Sequence, residues 1–340
     1  MNIYFFPPQR KANRKNVVNP YVRNFIKQLA KFSEVNEKPT NIPPLLDLAL
    51  NIYKKDVVVL NWIENTPLKR FGTIQYYFLL IILNFLYFKR VKIIWVMHNM
   101  HPHSGKNIKS QNIIKWLYDH ATFILTHSSE AREYAKSNGC QNIIFLHHPV
   151  STFDTNSSVS YTNNQSDSDI LIWGTIEPYK GIYEFIKYCN DNKSLMENKK
   201  ITIIGKCNND DYFKLLNQIK PKYINLINQK IEFNELSYLI KNTKIVLFPY
   251  LKGSISSSGA LIDTIALGGK AVGPNSGAFV DLEREGVCLT YESFNDIDRI
   301  INNVDSISES NVDKFIKENS WERFCMRIQK EITSSSKKNK

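Results

Sequence analysis

Runs of aliphatic and β-branched residues alternate with helix-periodic runs along nearly the whole chain, which restricts the fold to parallel sheet covered by helices. Strands are expected at residues 2–6, 57–62, 92–98, 122–127 and 142–147, with helices at 21–32, 71–88, 112–120 and 130–138 between them. Residues 151–168 (STFDTNSSVSYTNNQSDS) are almost wholly Ser, Thr, Asn, Asp and Gln, the chemistry of a linker. A second series follows at 169–173, 200–205, 224–228, 245–249 and 270–273, then a helical stretch at 319–332. The KKNK tail is expected to be disordered. With 340 residues, each of two α/β domains can bury its own core.

The net charge of +12 is informative once divided. Residues 1–150 carry 20 Lys/Arg against 8 Asp/Glu and all seven histidines, whereas the remainder carries 24 against 24. A lysine-rich composition explains the total but not the asymmetry. The first half is built to sit near something anionic: nucleic acid, a phospholipid surface or a phosphate-bearing substrate. No recognised nucleic-acid module accompanies the charge, so nucleic acid is the weakest of the three. Five scattered cysteines without a CxxC pair point to reduced thiols in a cytoplasmic setting, not to a disulfide frame or zinc cluster. The opening MNIYFFPPQRKANRK puts its apolar residues before its charges, the reverse of a signal peptide, and reads as a first strand.

Residues 71–88 are mostly aromatic and aliphatic, between Lys69-Arg70 and Lys89-Arg90. A bilayer span there would cut one sheet in two, and Gly72, Thr73, Gln75 and Asn84 interrupt it. A sheet-covering helix is expected, with a face that docks on a membrane as the alternative.

In parallel sheets ligands bind beyond the carboxyl ends of the strands, where loops and helix N-termini present backbone N–H groups. Four segments fall at such places. In WGTIEPYKGI (173–182), Gly174 lets the backbone approach a ligand, and Lys180 adds charge to a helix start, which suits a diphosphate. In PYLKGSISSSGALIDTIALGGKAV (249–272), a Gly/Ser loop with Ser256, Ser257, Ser258 and Gly259 leads into a helix, an anion cradle or simply a capped loop. Asp263, one turn in, can accept hydrogen bonds from ribose hydroxyls. In VMHNMHPH (96–103), His98 ends a strand and is expected to take a proton from a hydroxyl or to bind a sugar, with a structural histidine as the alternative. A metal on His98, His101 and His103 lacks any carboxylate or thiolate and is disfavoured. His127 is a second strand-end candidate, and His147-His148-Pro149 is expected to be structural. Finally, the loop 7–20 offers Arg10, Lys11, Arg14 and Lys15 to acceptor phosphate or anionic headgroups, unless it is only a solvated loop. The DSD at 167–169 and DID at 296–298 are taken as chance matches to a metal-binding DxD.

The two Gly-containing segments together resemble the donor domain of family-4-like, GT-B-fold glycosyltransferases. YKG (179–181) matches that family's helix start, and LIDTIALGGKAV (261–272) matches its LxEAxAxGxPVV pattern. PNSGA (274–278) with Gly286-Val287 follows, the Asn19-Pro20-Tyr21 start and WVMHN (95–99) fit the acceptor domain, and Ser320-Trp321 resembles the closing helix. Asp263 stands at the second of two family glutamates, Ile255 at the first, and Thr175 where retaining members carry arginine.

The resemblance implies two Rossmann-like domains with the active site in the cleft between them. These are an acceptor domain at 1–150, a linker at 151–168, a donor domain at 169–318, and a closing helix with tail at 319–340. It implies transfer from a UDP- or GDP-linked sugar to a glycan or lipid-diphosphate-linked acceptor, without metal or resident cofactor. Peripheral attachment to the inner face of a membrane and a place in surface polysaccharide synthesis accompany it. His98 and Lys180 would be catalytic, and Gly174, Thr175, Lys180, residues 256–259 and Asp263 would hold the donor. The alternatives are a non-catalytic partner that keeps the fold, and a nucleotide-sugar epimerase.

Overall fold

The computed structural model describes residues 1–11, 19–98, 107–151, 168–251 and 257–335. The chain divides into two compact units, Met1–His147 with Trp321–Lys340, and His148–Ser320.

The strands of the first unit are β1 (Asn2–Phe6), β2 (Glu34–Val35), β3 (Val57–Asn61), β4 (Lys92–Met97), β5 (Phe123–Thr126) and β6 (Ile143–Phe145). They form one parallel sheet in the order β2-β1-β3-β4-β5-β6, with registers such as Ile3↔Val57 and Leu60↔Trp95. Its helices are α1 (Pro20–Leu29), α2 (Pro44–Asn51), α3 (Gly72–Phe88), α4 (Ile108–His120) and α5 (Ser129–Ser137). Strands buried on both faces need apolar side chains at every position, and β1, β3 and β4 read NIYFF, VVVLN and KIIWVM for that reason. Tyr4, Leu60 and Trp95 turn to one face, under α2, α3 and α4, while Ile3, Val59 and Val96 turn to the other.

The second unit contains β7 (Ser168–Trp173), β8 (Ile201–Gly205), β9 (Ile224–Asn228), β10 (Thr243–Leu247), β11 (Ala271–Pro274) and β12 (Leu289–Tyr291), parallel in the order β12-β11-β10-β7-β8-β9. Its helices are α6 (Ile182–Asp191), α7 (Lys193–Met196), α8 (Asp210–Ile219), α9 (Phe233–Lys241), α10 (Gly259–Ala266), α11 (Ala278–Arg284), α12 (Ile297–Asn302) and α13 (Glu309–Glu318). Counted within the unit, the sheet winds outward in both directions from β7 and β10, which makes their junction the topological switch point.

The closing helix begins later than the sequence suggests. Asn319 ends α13 in a turn and Ser320 forms a parallel bridge with Val150, whose N–H donates to Asn319 O (2.8 Å). Helix α14 (Trp321–Ser335) then packs on α1 in the first unit, burying Trp321, Phe324 and Ile328 beside Tyr21 and Phe25. The ring of Trp321 lies 5.2 Å from Tyr21 and 5.8 Å from Phe324. Truncation there leaves a large cavity, so Trp321→Ala is expected to destabilise the first unit by about 3–5 kcal/mol, read as a lowered urea midpoint.

Candidate functional site

The switch point of the second unit gathers two chain segments at the carboxyl edge of the sheet. After β7 the chain turns at Gly174 (φ +105°), makes a 3-10 turn over Pro178–Lys180, passes Gly181 (φ +68°) and enters α6. Only glycine suits position 181: besides the positive φ, a Cβ would lie 1.9 Å from Pro249 O. That close approach, with Leu251 N–H donating to Tyr179 O (3.3 Å), holds the Lys180 turn against the loop after β10. Trp173 Nε1–H donates to Thr264 Oγ1 (2.8 Å), which anchors α10 to the end of β7.

Lys180 is 8 % exposed. Its Nζ lies 5.7 Å from the centre of the Tyr250 ring and 3.1 Å from where a Cβ on Gly174 would be. The Tyr250 hydroxyl in turn hydrogen-bonds Ser258 Oγ (3.1 Å), and Ser258 is the residue from which α10 starts. Lys180 and the start of α10, 78 positions apart in sequence, are thus joined through one aromatic ring. Among the described residues, no carboxylate or carbonyl accepts a hydrogen bond from Lys180 Nζ. Burial lowers the pKa of Lys180 to about 8, with Glu177 opposing the shift. Relative to an ordinary lysine this corresponds to about 3 kcal/mol against the charged form.

Two further polar groups, one just before α10 and one on it, lack hydrogen-bond partners among the described residues. The hydroxyl of Ser257 is buried and unbonded. Asp263, four residues into the face of α10 that begins at Gly259, is half-buried, and burial pushes its carboxyl up to about 7. A buried ammonium, an orphan hydroxyl, a helix N-terminus and a lone carboxylate fit a ligand with an anionic end and hydroxyls at the other.

His148, expected from the sequence to be structural, also stands near the start of α10. Its Nε2 lies 3.9 Å from the position of a Cβ on Gly259, and its Nδ1–H donates to Pro149 O (3.0 Å). Burial lowers its pKa to about 4, so the imidazole is neutral. Tyr250 was missed as well. Its signal was the strand-end position, the same argument that singled out His98.

In the first unit the switch point lies between β1 and β3. Asn61 Nδ2–H donates to Phe6 O (3.0 Å), which fixes the amide and turns Asn61 Oδ1 toward His98 Nε2 (3.0 Å). His98 stacks on Trp62 at 4.1 Å and 11°, with Tyr21 edge-on at 5.1 Å. His127 differs. It is 1 % exposed, its Nδ1–H donates to Leu146 O (2.9 Å), and Nε2 accepts from the Tyr21 hydroxyl (3.0 Å), so it braces Tyr21 instead of facing a ligand.

Of the remaining expected residues, Thr175 is exposed and hydrogen-bonds the Tyr179 side chain. Arg10 donates to the Ile42 carbonyl and Lys11 is exposed. Arg14, Lys15, His101, His103, Ile255 and Ser256 lie outside the described residues. Asp169 binds Lys244 (2.8 Å), Asp298 binds Lys199 (2.6 Å), and Asp296 caps the turn at Ser293, so these carboxylates hold the fold together. No group of metal-ligating side chains occurs among the described residues.

No protein-family model matches the chain, and no curated protein matches it either. Solved structures do. HepE of Anabaena, crystallised with UDP-glucose, aligns with TM-score 0.66 at 13 % identity over 98 % of this chain and 100 % of that one. Sucrose-phosphate synthase of Thermosynechococcus elongatus aligns with TM-score 0.67 at 10 % identity, over 97 % of each chain. A glycosyltransferase of Rickettsia africae aligns with TM-score 0.64 at 11 % identity, over 99 % of this chain and 98 % of that one. With two six-stranded parallel sheets, each in its own α/β unit, the chain has the GT-B fold of these glycosyltransferases.

Proposed function

We propose that the protein is a glycosyltransferase that takes a sugar from a UDP- or GDP-linked donor held by the second unit. The observation that carries this reading is Lys180, a buried cation with no bonded carboxylate among the described residues, joined through Tyr250 to the start of α10 at the switch point. The crystallisation of HepE with UDP-glucose favours a uridine donor. In the reaction the bond from the anomeric carbon to the β-phosphate oxygen breaks, and the acceptor hydroxyl oxygen forms the new bond. Lys180 and the amides from Ser258 onward receive the charge of the departing diphosphate, a task for which no metal is required. Asp263 holds the ribose hydroxyls, and His98 serves the reacting sugar or takes the acceptor's proton. The acceptor is a glycan or lipid-linked oligosaccharide, as in bacterial surface polysaccharide synthesis. It meets the basic first unit on the inner face of the membrane, with Arg10, Lys11, Arg14 and Lys15 supplying cations for its phosphate or for anionic headgroups. No described helix is long and apolar enough to cross a membrane.

Titration of UDP and GDP into the protein, followed by incubation with their sugars without acceptor, tests the reading. Binding of one diphosphate with slow release from its sugar donor is expected. Binding without release would identify a non-catalytic partner, a 2-epimeric product an epimerase, and no binding of either nucleotide would end the proposal.

A further inference from the structure

Helix α3 is apolar all round. Tyr76, Leu79, Leu83 and Leu86 pack on the sheet, while the opposite stripe of Phe71, Ile74, Phe78, Ile81, Phe85 and Phe88 faces outward, Ile74 at 70 % and Phe88 at 79 % exposure. A helix with this pattern is stable only if its second face also meets an apolar phase. Lys69-Arg70 and Lys89-Arg90 bracket it, the arrangement of a helix lying in the plane of an anionic interface.

Beside this stripe a groove of about 350 Å3 opens between α2 and α3. Phe6, Leu45 and Leu46 line one side, Ile74 and Phe78 the other. Its polar groups are Lys69, Gln75 and Thr66, and the Thr66 hydroxyl, on a residue 1 % exposed, is buried without a hydrogen-bond partner among the described residues. Tyr4 OH donates to Asp47 Oδ2 (2.5 Å), which fixes α2 as a rigid wall. Phe6, one of the lining residues, has a carbonyl that accepts from the Asn61 amide, and Asn61 Oδ1 in turn meets His98.

We propose that this groove takes the hydrocarbon chain of a lipid phosphate, with the phosphate at Lys69 and a linking oxygen at Thr66. The inference rests on the first unit being the acceptor side of a glycosyltransferase. It makes the acceptor an amphiphile drawn from the bilayer on which the stripe lies. A mostly apolar lining with one cation, the Gln75 amide and one orphan hydroxyl matches an alkyl phosphate, and the stripe that shares Ile74 and Phe78 with the groove supplies the route from the membrane.

Dodecyl phosphate below its critical micelle concentration, titrated into the full chain, is the probe, with phosphatidylglycerol vesicles as a second arm. Ile74 lines the groove, whereas Ile81 lies on the same exposed stripe outside it. Ile74→Glu is expected to lose dodecyl phosphate binding at least tenfold, and Lys69→Ala to weaken it about tenfold, with millimolar inorganic phosphate unable to compete. Ile81→Glu is expected to lose vesicle binding but keep dodecyl phosphate. Equal effects of Ile74→Glu and Ile81→Glu, or no binding by the wild type, would overturn the groove. UDP titrated into each variant separates the two readings. UDP binding without dodecyl phosphate binding defeats only the groove, and the reverse defeats only the donor site.

Discussion

Replacing Lys180 with methionine is expected to lower donor turnover at least 100-fold while raising the melting temperature of the free protein. The first effect follows from the role of the ammonium: it is a buried charge joined through Tyr250 to the start of α10, and removing one preorganised stabiliser of a leaving group costs on the order of 10²–10³ in rate. The second follows from burial. The folded-state pKa of about 8 lies below the ordinary lysine value of 10.5, so the unfolded chain holds more protons between those two values. Stability therefore rises as pH increases through that window, and below pH 8 the folded state carries the full penalty of about 3 kcal/mol. Methionine keeps the stem and removes the penalty. For a unit of this size the gain amounts to several degrees at pH 7, roughly 2–4 °C per kcal/mol, and it vanishes toward pH 11. Scanning calorimetry at pH 7 and pH 10 reads it, and a lower melting temperature in the variant would show that Lys180 is a structural cation.

Nucleotide affinity is expected to peak between pH 7 and 8 and to fall on both sides. Asp263, with its carboxyl raised to about 7, loses its charge as pH drops through that value, and Lys180 loses its own as pH climbs through about 8. Neither shift has the other residue among its causes, so the two limbs are independent. Asp263→Asn flattens the acid limb alone, at the cost of weaker ribose binding. Lys180→Met removes the alkaline limb together with most of the affinity. Calorimetric UDP titrations from pH 5.5 to 9.5 measure both, and a pH-independent affinity in the wild type would show that neither group meets the ligand.

The strands were legible because a sheet covered on both faces writes continuous apolar runs: 2–6 and 224–228 match β1 and β9 residue for residue. Helix α2 was not, since eight residues that begin at the second of two prolines are too short to show a helical period, and the Tyr4 to Asp47 bond that ties it down comes from a distant strand. Strand β12 was lost for the same reason, being three residues long. In the site, Lys180, Ser258 and Asp263 were marked by strand-end position. Tyr250 and His148 were not, because their part depends on tertiary proximity: Tyr250 reaches Lys180 across 70 positions, and His148 reaches Gly259 across 111. The bond from Arg10 to the Ile42 carbonyl was not legible either, since a basic loop residue gives no sign that a carbonyl 32 positions away will accept from it. The outward stripe of α3 was visible as composition, but its separation into a sheet face and an exposed face needed the packing against β3 and β4.

The most direct measurement is a crystal structure of the protein with UDP. A phosphate oxygen is expected within hydrogen-bond distance of Lys180 Nζ, with the same diphosphate against the backbone amides at 258–260 and the ribose at Asp263. A diphosphate bound elsewhere, with Lys180 Nζ still packed against Tyr250 and without a phosphate partner, would contradict this expectation.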